Sequence, residues 1–206
     1  MKKKTDKPFR LLKGDWYFEG YKGVMVPRRN GRGMKRELVY IGTYYRFDRP
    51  SAGIRRLKIA FVLLYVLALT AYLALNLAPF TAVAFPAVGI PLLLAVIPMI
   101  YHGIGIVSLC FAPEEMTIRN RYSSIRRIKR AVCVGLAFSA MTMVGDLWFL
   151  IAFRGNYFPS EFIFPFLCVL LLIGLSISWY LLLKNPLQPV KKEKDETLPL
   201  APDEAD

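Results

Sequence analysis

The chain has 206 residues, 55% of them hydrophobic, and a formal net charge of +13. Its apolar residues are gathered into long blocks instead of being spread along amphipathic elements, a distribution that argues against an ordinary soluble domain and for a membrane. A single histidine excludes a His-rich metal site, and three cysteines without CxxC spacing give no basis for zinc or a disulfide framework.

Residues 1–58 carry 17 Lys and Arg against 5 Asp and Glu, interleaved with aromatic residues such as Trp16, Tyr17, Tyr40 and Tyr44. Within the first 56 of these, two β-favouring runs, Val24–Val26 and Leu38–Phe47, flank the turn signal Asn30-Gly31-Arg32-Gly33, which predicts a small β-hairpin. A short echo between Gly14-Asp15-Trp16-Tyr17 and Gly42-Thr43-Tyr44-Tyr45 does not establish a repeat. Basic and aromatic residues together also suit a nucleic-acid binder. Beside a membrane span the same charge is expected from insertion and binds anionic headgroups, so lipid and not nucleic acid is the expected partner.

Four apolar blocks follow: Ile59–Phe80, Ala82–Phe111, Ala131–Phe153 and Phe162–Leu183. Each reaches the roughly 20 residues that a helix needs to cross the hydrocarbon core. The first lies too far from the start to be the core of a cleaved signal peptide, so it reads as a retained span. The second would extend about 45 Å as one straight helix against a core of about 30 Å. Pro86, Pro91 and Pro98 are expected to bend it or to keep its outer end irregular. The spans are therefore placed at about 59–80, 86–111, 131–153 and 162–183.

Between the second and third blocks, Pro113-Glu114-Glu115 reads as a helix start, and Ile118, Tyr122 and Ile125 fall at helical spacing. A short surface helix competes here with an ordinary positive loop, and the loop is favoured. The tail 185–206, with its prolines and terminal acids, is expected to be disordered. The expected fold is an all-α membrane protein, a four-transmembrane-helix bundle over 57–184 with a basic segment, 1–56, before it and a tail after it.

Lys and Arg near spans stay on the cytoplasmic side during insertion. Of the 28, 17 lie in residues 1–58, 6 in 112–130 and 4 in 184–206, leaving Arg154 alone on the other side. Both termini are thus expected in the cytoplasm of a plasma or inner membrane. Trp148, Phe149, Tyr157 and Phe158 would mark the outer interface, and Trp179 and Tyr180 the inner one. Arg55, Arg56, Lys58, Arg126, Arg127, Lys129 and Arg130 are the candidate headgroup contacts.

Soluble catalytic signatures such as GxxxxGK[ST], HExxH, GxSxG and GxGxxG are absent from the sequence. No cofactor or metal site is expected, and the protein reads as a non-enzyme. Polar residues inside the spans are the remaining candidates. Gly135, Ser139, Thr142 and Asp146 recur on one face of the third span, and Pro91, Ala95, Pro98, His102 and Gly105 on one face of the second. The fourth offers Gly174 and Ser178, the first Ala74 and Ala78. Such stripes are expected to face inward, where small residues let helices approach and polar ones hydrogen-bond.

Asp146, His102, Thr142 and Ser139 form the candidate intramembrane polar site. A charge at mid-span costs about 2.5–3.5 kcal/mol on insertion scales, so Asp146 is either functional or satisfied by Thr142, a backbone carbonyl or a neighbouring tyrosine. His102, with an ordinary pKa of about 6.5, is a possible partner in proton transfer. Counted from the cytoplasmic ends, His102 lies about 14 Å deep and Asp146 about 22 Å, which separates them beyond hydrogen-bond reach. The expected function is an accessory or interaction subunit that docks on anionic lipid, on a partner membrane protein or on a second copy. The alternative is a small transporter or channel subunit using Asp146.

Overall fold

The computed structural model describes residues 21–27, 34–153 and 159–190. It is mostly helical, with four helical stretches long and apolar enough to cross a membrane. Strands β1 (Tyr21–Pro27) and β2 (Met34–Tyr40) form the expected antiparallel hairpin, Tyr21 opposite Tyr40 and Pro27 opposite Met34. Its turn and the echo at 14–17 lie outside the described residues.

The second strand does not run on to Phe47. It stops at Tyr40, and Gly42 lies so close beneath the Tyr40 ring that a Cβ there would come 2.8 Å from the hydroxyl. The chain then re-enters as β3 (Tyr44–Phe47), which pairs antiparallel with β4 (Leu187–Val190). This corrects the expectation for the tail, part of which is a strand; residues 191–206 are outside the described set. Pro189 is tolerated because it lies opposite Tyr45, whose N–H and C=O turn the other way and bond Met116, both at 2.8 Å.

Helix α1 (Ser51–Leu77) starts eight residues before the apolar block, behind Pro50, with Arg55, Arg56 and Lys58 in its first turns. Ile54, Leu57 and Phe61, all buried, continue its inward face down to that start. Pro79 follows its end, and a 3₁₀ turn, Thr81–Ala84, leads to α2 (Pro86–Leu94), where Pro86 takes the first helical position. The bend expected in the second block is at Ala95, where α2 gives way to α3 (Val96–Phe111). Pro98 lacks the N–H that would bond the Leu94 carbonyl one turn earlier, which explains the break.

The 113–117 segment bends at Glu114 and Glu115 and bridges to β3 through Met116, so the helix start expected at Pro113 falls instead at Thr117, and residues 118–130, for which a loop was the favoured reading, are helical. The Thr117 side chain accepts the Asn120 N–H and caps α4 (Ile118–Arg121), which runs through a π turn, Tyr122–Arg126, into α5 (Arg127–Ala152). A further 3₁₀ turn, Pro159–Phe162, precedes α6 (Ile163–Lys184).

Helices α1 and α6, α5 and α6, and α2 and α3 with α5 make the bundle contacts. Small residues mark the crossings. A Cβ on Gly174 would touch the Ala68 methyl at 3.4 Å, and one on Gly135 the Leu175 side chain at 3.4 Å. Phe61, Leu75, Leu92, Ile128, Leu171 and Leu175 fill the interior, while Leu63, Leu93, Ile97, Val144 and Phe166 are exposed on the outside. A soluble monomer rarely exposes apolar surface on this scale.

Candidate functional site

Side-chain chemistry gathers at two places, the end of the bundle capped by β3 and β4, and the far end where α1 turns into α2. The α5 stripe faces inward as expected, with Gly135, Ser139, Thr142 and Asp146 all buried, and so does the α2–α3 stripe from Pro91 to Gly105. Ala74 and Ala78 are only half-buried; α1 packs instead through Ala68, Ala71 and Leu75.

Asp146 has 0% of its surface exposed, and neither carboxyl oxygen has a hydrogen-bond partner. The expected clasp with Thr142 is not formed, because the Thr142 hydroxyl donates to the Phe138 carbonyl at 2.9 Å within its own helix. His102 is equally enclosed at 1%, with both ring nitrogens unpartnered and its ring edge-on to Tyr65 at 5.2 Å. No hydrogen bond joins His102 to Asp146, in keeping with their depths.

Backbone packing explains why α5 comes so close to α2 at this level. Pro91 cannot donate to the Ala87 carbonyl, and the freed carbonyl is pressed against Gly145, where a Cβ would lie 2.8 Å from the Ala87 carbonyl carbon. One residue on is Asp146. Glu161 and Cys168 are both within electrostatic range of it.

Glu161 was not foreseen as a site residue. It is 2% exposed, and its carboxylate accepts the Thr81 N–H at 2.6 Å and the Ala82 N–H at 3.4 Å. It thereby closes the start of the 3₁₀ turn after α1 from the start of the neighbouring α6. The one available sequence signal is Pro159-Ser160-Glu161, which reads as a helix start with an acid in its first turn. Phe149, expected at an interface, is buried and stacks on Phe85 and Phe153.

At the capped end the candidate headgroup residues divide. Lys58 is turned inward, its ammonium donating to the Ala112 carbonyl at 2.7 Å and the Cys110 carbonyl at 3.3 Å, which completes the C-terminus of α3. Arg126 lies over the Tyr122 ring at 4.5 Å, Arg127 over Tyr101 at 5.7 Å and Lys129 over Trp179 at 5.4 Å. Arg55, Arg56 and Arg130 are exposed. Cations on aromatic faces at the end of apolar helices suit a water–lipid boundary.

Tyr40 ties the hairpin to this end. Its hydroxyl donates to the Thr43 carbonyl at 2.8 Å and accepts the Ile118 N–H at 3.3 Å, and its ring packs on Tyr21 and Tyr44. Burial holds its phenol above the ordinary range. Arg46 pairs with Glu114 at 3.8 Å, Gln188 donates to Asp48 at 3.0 Å, and Arg121 covers Tyr45.

Among the described residues no three His, Cys, Asp or Glu side chains come together as a metal site, and Cys110, Cys133 and Cys168 are free thiols. No protein-family model matches the chain, and no curated protein or solved structure is significantly similar to it.

Proposed function

We infer that this is a small multi-pass protein of a plasma or inner membrane, with both termini in the cytoplasm, acting as a non-enzymatic accessory or interaction subunit. The observation that carries this reading is the construction of the capped end. Three distant segments, β3, Met116 and β4, are joined there by main-chain hydrogen bonds on top of the helices. Tyr40 and Lys58 pin the hairpin and α1 to the same place. A basic, aromatic platform so fixed to four apolar helices suits docking on anionic headgroups and holding a partner in a set orientation.

Deleting residues 1–39, which leaves β3 and α1 intact, is the direct test. Mild-detergent purification of the full chain is expected to bring down a partner that the deletion loses. Recovery of the full chain alone would count against an interaction subunit.

A second reading, a transporter or channel subunit, is favoured by one observation, the enclosed and unpartnered carboxyl of Asp146. An ionisable residue so placed in a span is often kept for ion or proton movement. On this reading, protein in liposomes moves an ion or solute, and Asp146→Asn abolishes the flux while the bundle still folds. Undiminished flux in that variant would remove Asp146 from the mechanism.

A further inference from the structure

We propose that Asp146 binds a proton inside the bundle and that Glu161 is the group through which the proton reaches it from the far end. This rests on the transporter reading and names its ion as H⁺. Both carboxyls are enclosed, Asp146 at 0% exposed and Glu161 at 2%, and they lie within electrostatic range of each other. Their surroundings differ. Glu161 accepts the main-chain N–H groups of Thr81 and Ala82, while neither oxygen of Asp146 has a hydrogen-bond partner.

That difference decides where a proton sits. Two charged carboxylates within such range in an apolar interior repel, so the pair retains one proton. The N–H donors suit the ionised form of Glu161 and nothing faces an ionised Asp146, which leaves the proton to Asp146. Of the other elements packed here, α2 carries no titratable side chain, and α6 brings the Cys168 thiol, which supplies no positive charge. A metal ion in the proton's place would need several ligands, and among the described residues no three His, Cys, Asp or Glu side chains come together.

The route follows from what covers the site. Asp146 is six residues from the end of α5, a distance of about 9 Å. Beyond it Phe149 and Phe153 stack on Phe85 at 5.9 and 6.1 Å, and Phe80 meets Phe164 edge-on at 5.2 Å. Phe80 and Phe85 stand on either side of the 3₁₀ turn Thr81–Ala84, so the turn carries two rings of this cover, and Glu161 holds the turn. Protonating Glu161 removes the charge that strengthens its N–H bonds. The turn and its rings are then free to move, and the proton passes inward to Asp146.

The test is read on the purified full chain in detergent by infrared spectroscopy, following the C=O band that a protonated carboxyl has and a carboxylate lacks. At neutral pH the parent is expected to show this band, Asp146→Asn and Asp146→Leu to lack it, and Glu161→Gln to keep it. A parent without the band, or a band that survives in either Asp146 variant, overturns the site. On transfer to D₂O the band shifts as its proton exchanges. Glu161→Gln is expected to slow that shift by roughly a hundredfold, the low end of what a positioned proton-transfer group contributes. A shift in this variant as fast as in the parent, or faster, overturns Glu161 as the route. Flux into liposomes, read with a pH-sensitive dye and with labelled sodium and potassium, separates the proton site from the transporter reading. The band without flux of any ion would remove the transporter and leave the proton site, whereas sodium or potassium flux without the band would do the reverse.

Discussion

Gly145→Ala is expected to lower the stability of the bundle by about 1–3 kcal/mol, the range for inserting a methyl where no room exists. The added Cβ would meet the Ala87 carbonyl, which is backbone and cannot swing aside as a side chain could. Pro91 leaves that carbonyl without its helical N–H, and the absence of a side chain at Gly145 lets α5 pack directly against it. Moving the helices apart would relieve the clash but strand the carbonyl in an apolar interior. Gly145→Leu is expected to prevent α2 and α5 from seating at all. Gly53→Ala is the control: there the Cβ would meet the Arg49 Cβ at 3.4 Å, an ordinary contact, and the gain in helix propensity is up to about 1 kcal/mol. Unfolding in detergent micelles measures all three. Equal stabilities for Gly145→Ala and the parent would show that the crossing has slack the packing does not reveal.

The two enclosed carboxyls are expected to respond in opposite directions. Glu161→Ala leaves the Thr81 N–H without its 2.6 Å acceptor and is expected to cost about 1–3 kcal/mol, with Glu161→Gln falling between because one oxygen remains to accept. Asp146 satisfies nothing in return for its burial. Replacing it with leucine, of similar branching, removes two unpartnered oxygens and is expected to be neutral or stabilising. Should Asp146→Leu destabilise as strongly as Glu161→Ala, Asp146 has a bonding role in the folded bundle. A stable, well-folded Asp146→Leu protein that has lost its activity would instead assign the residue to function.

Block length and composition made the four membrane-length apolar helices legible, since runs of 20 or more apolar residues have few other uses. That the second block would bend was readable from its three prolines, but not that the break would fall at Ala95 ahead of Pro98; the inward stripes from Gly135 to Asp146 and from Pro91 to Gly105 were readable from spacing alone. What escaped depends on partners far away in sequence. Glu161 works on N–H groups 80 residues upstream, and nothing local to it shows that. Leu187–Val190 contains Pro189 and follows Pro186, which reads as a tail, and only the edge of β3 makes it a strand. The start of α1 was hidden differently. Ile54, Leu57 and Phe61 carry a helical period, but Arg55, Arg56 and Lys58 between them lower the mean hydropathy and moved the boundary to Ile59. Thr142 was a natural partner for Asp146 on spacing, and the backbone carbonyl one turn away took its hydroxyl instead.

The pairing of β3 with β4 has a consequence for synthesis. Asp48 and Gln188, which meet at its edge, are 140 residues apart. At about 5–20 residues per second, β3 waits roughly 7–28 s after leaving the ribosome before its partner strand exists. Met116 emerges in the first half of that interval and can occupy one edge of β3; the other stays open until the last helix has been made. The capped end is therefore completed last, and a chain that stops short of β4 carries an unpaired strand edge at that end of its helices.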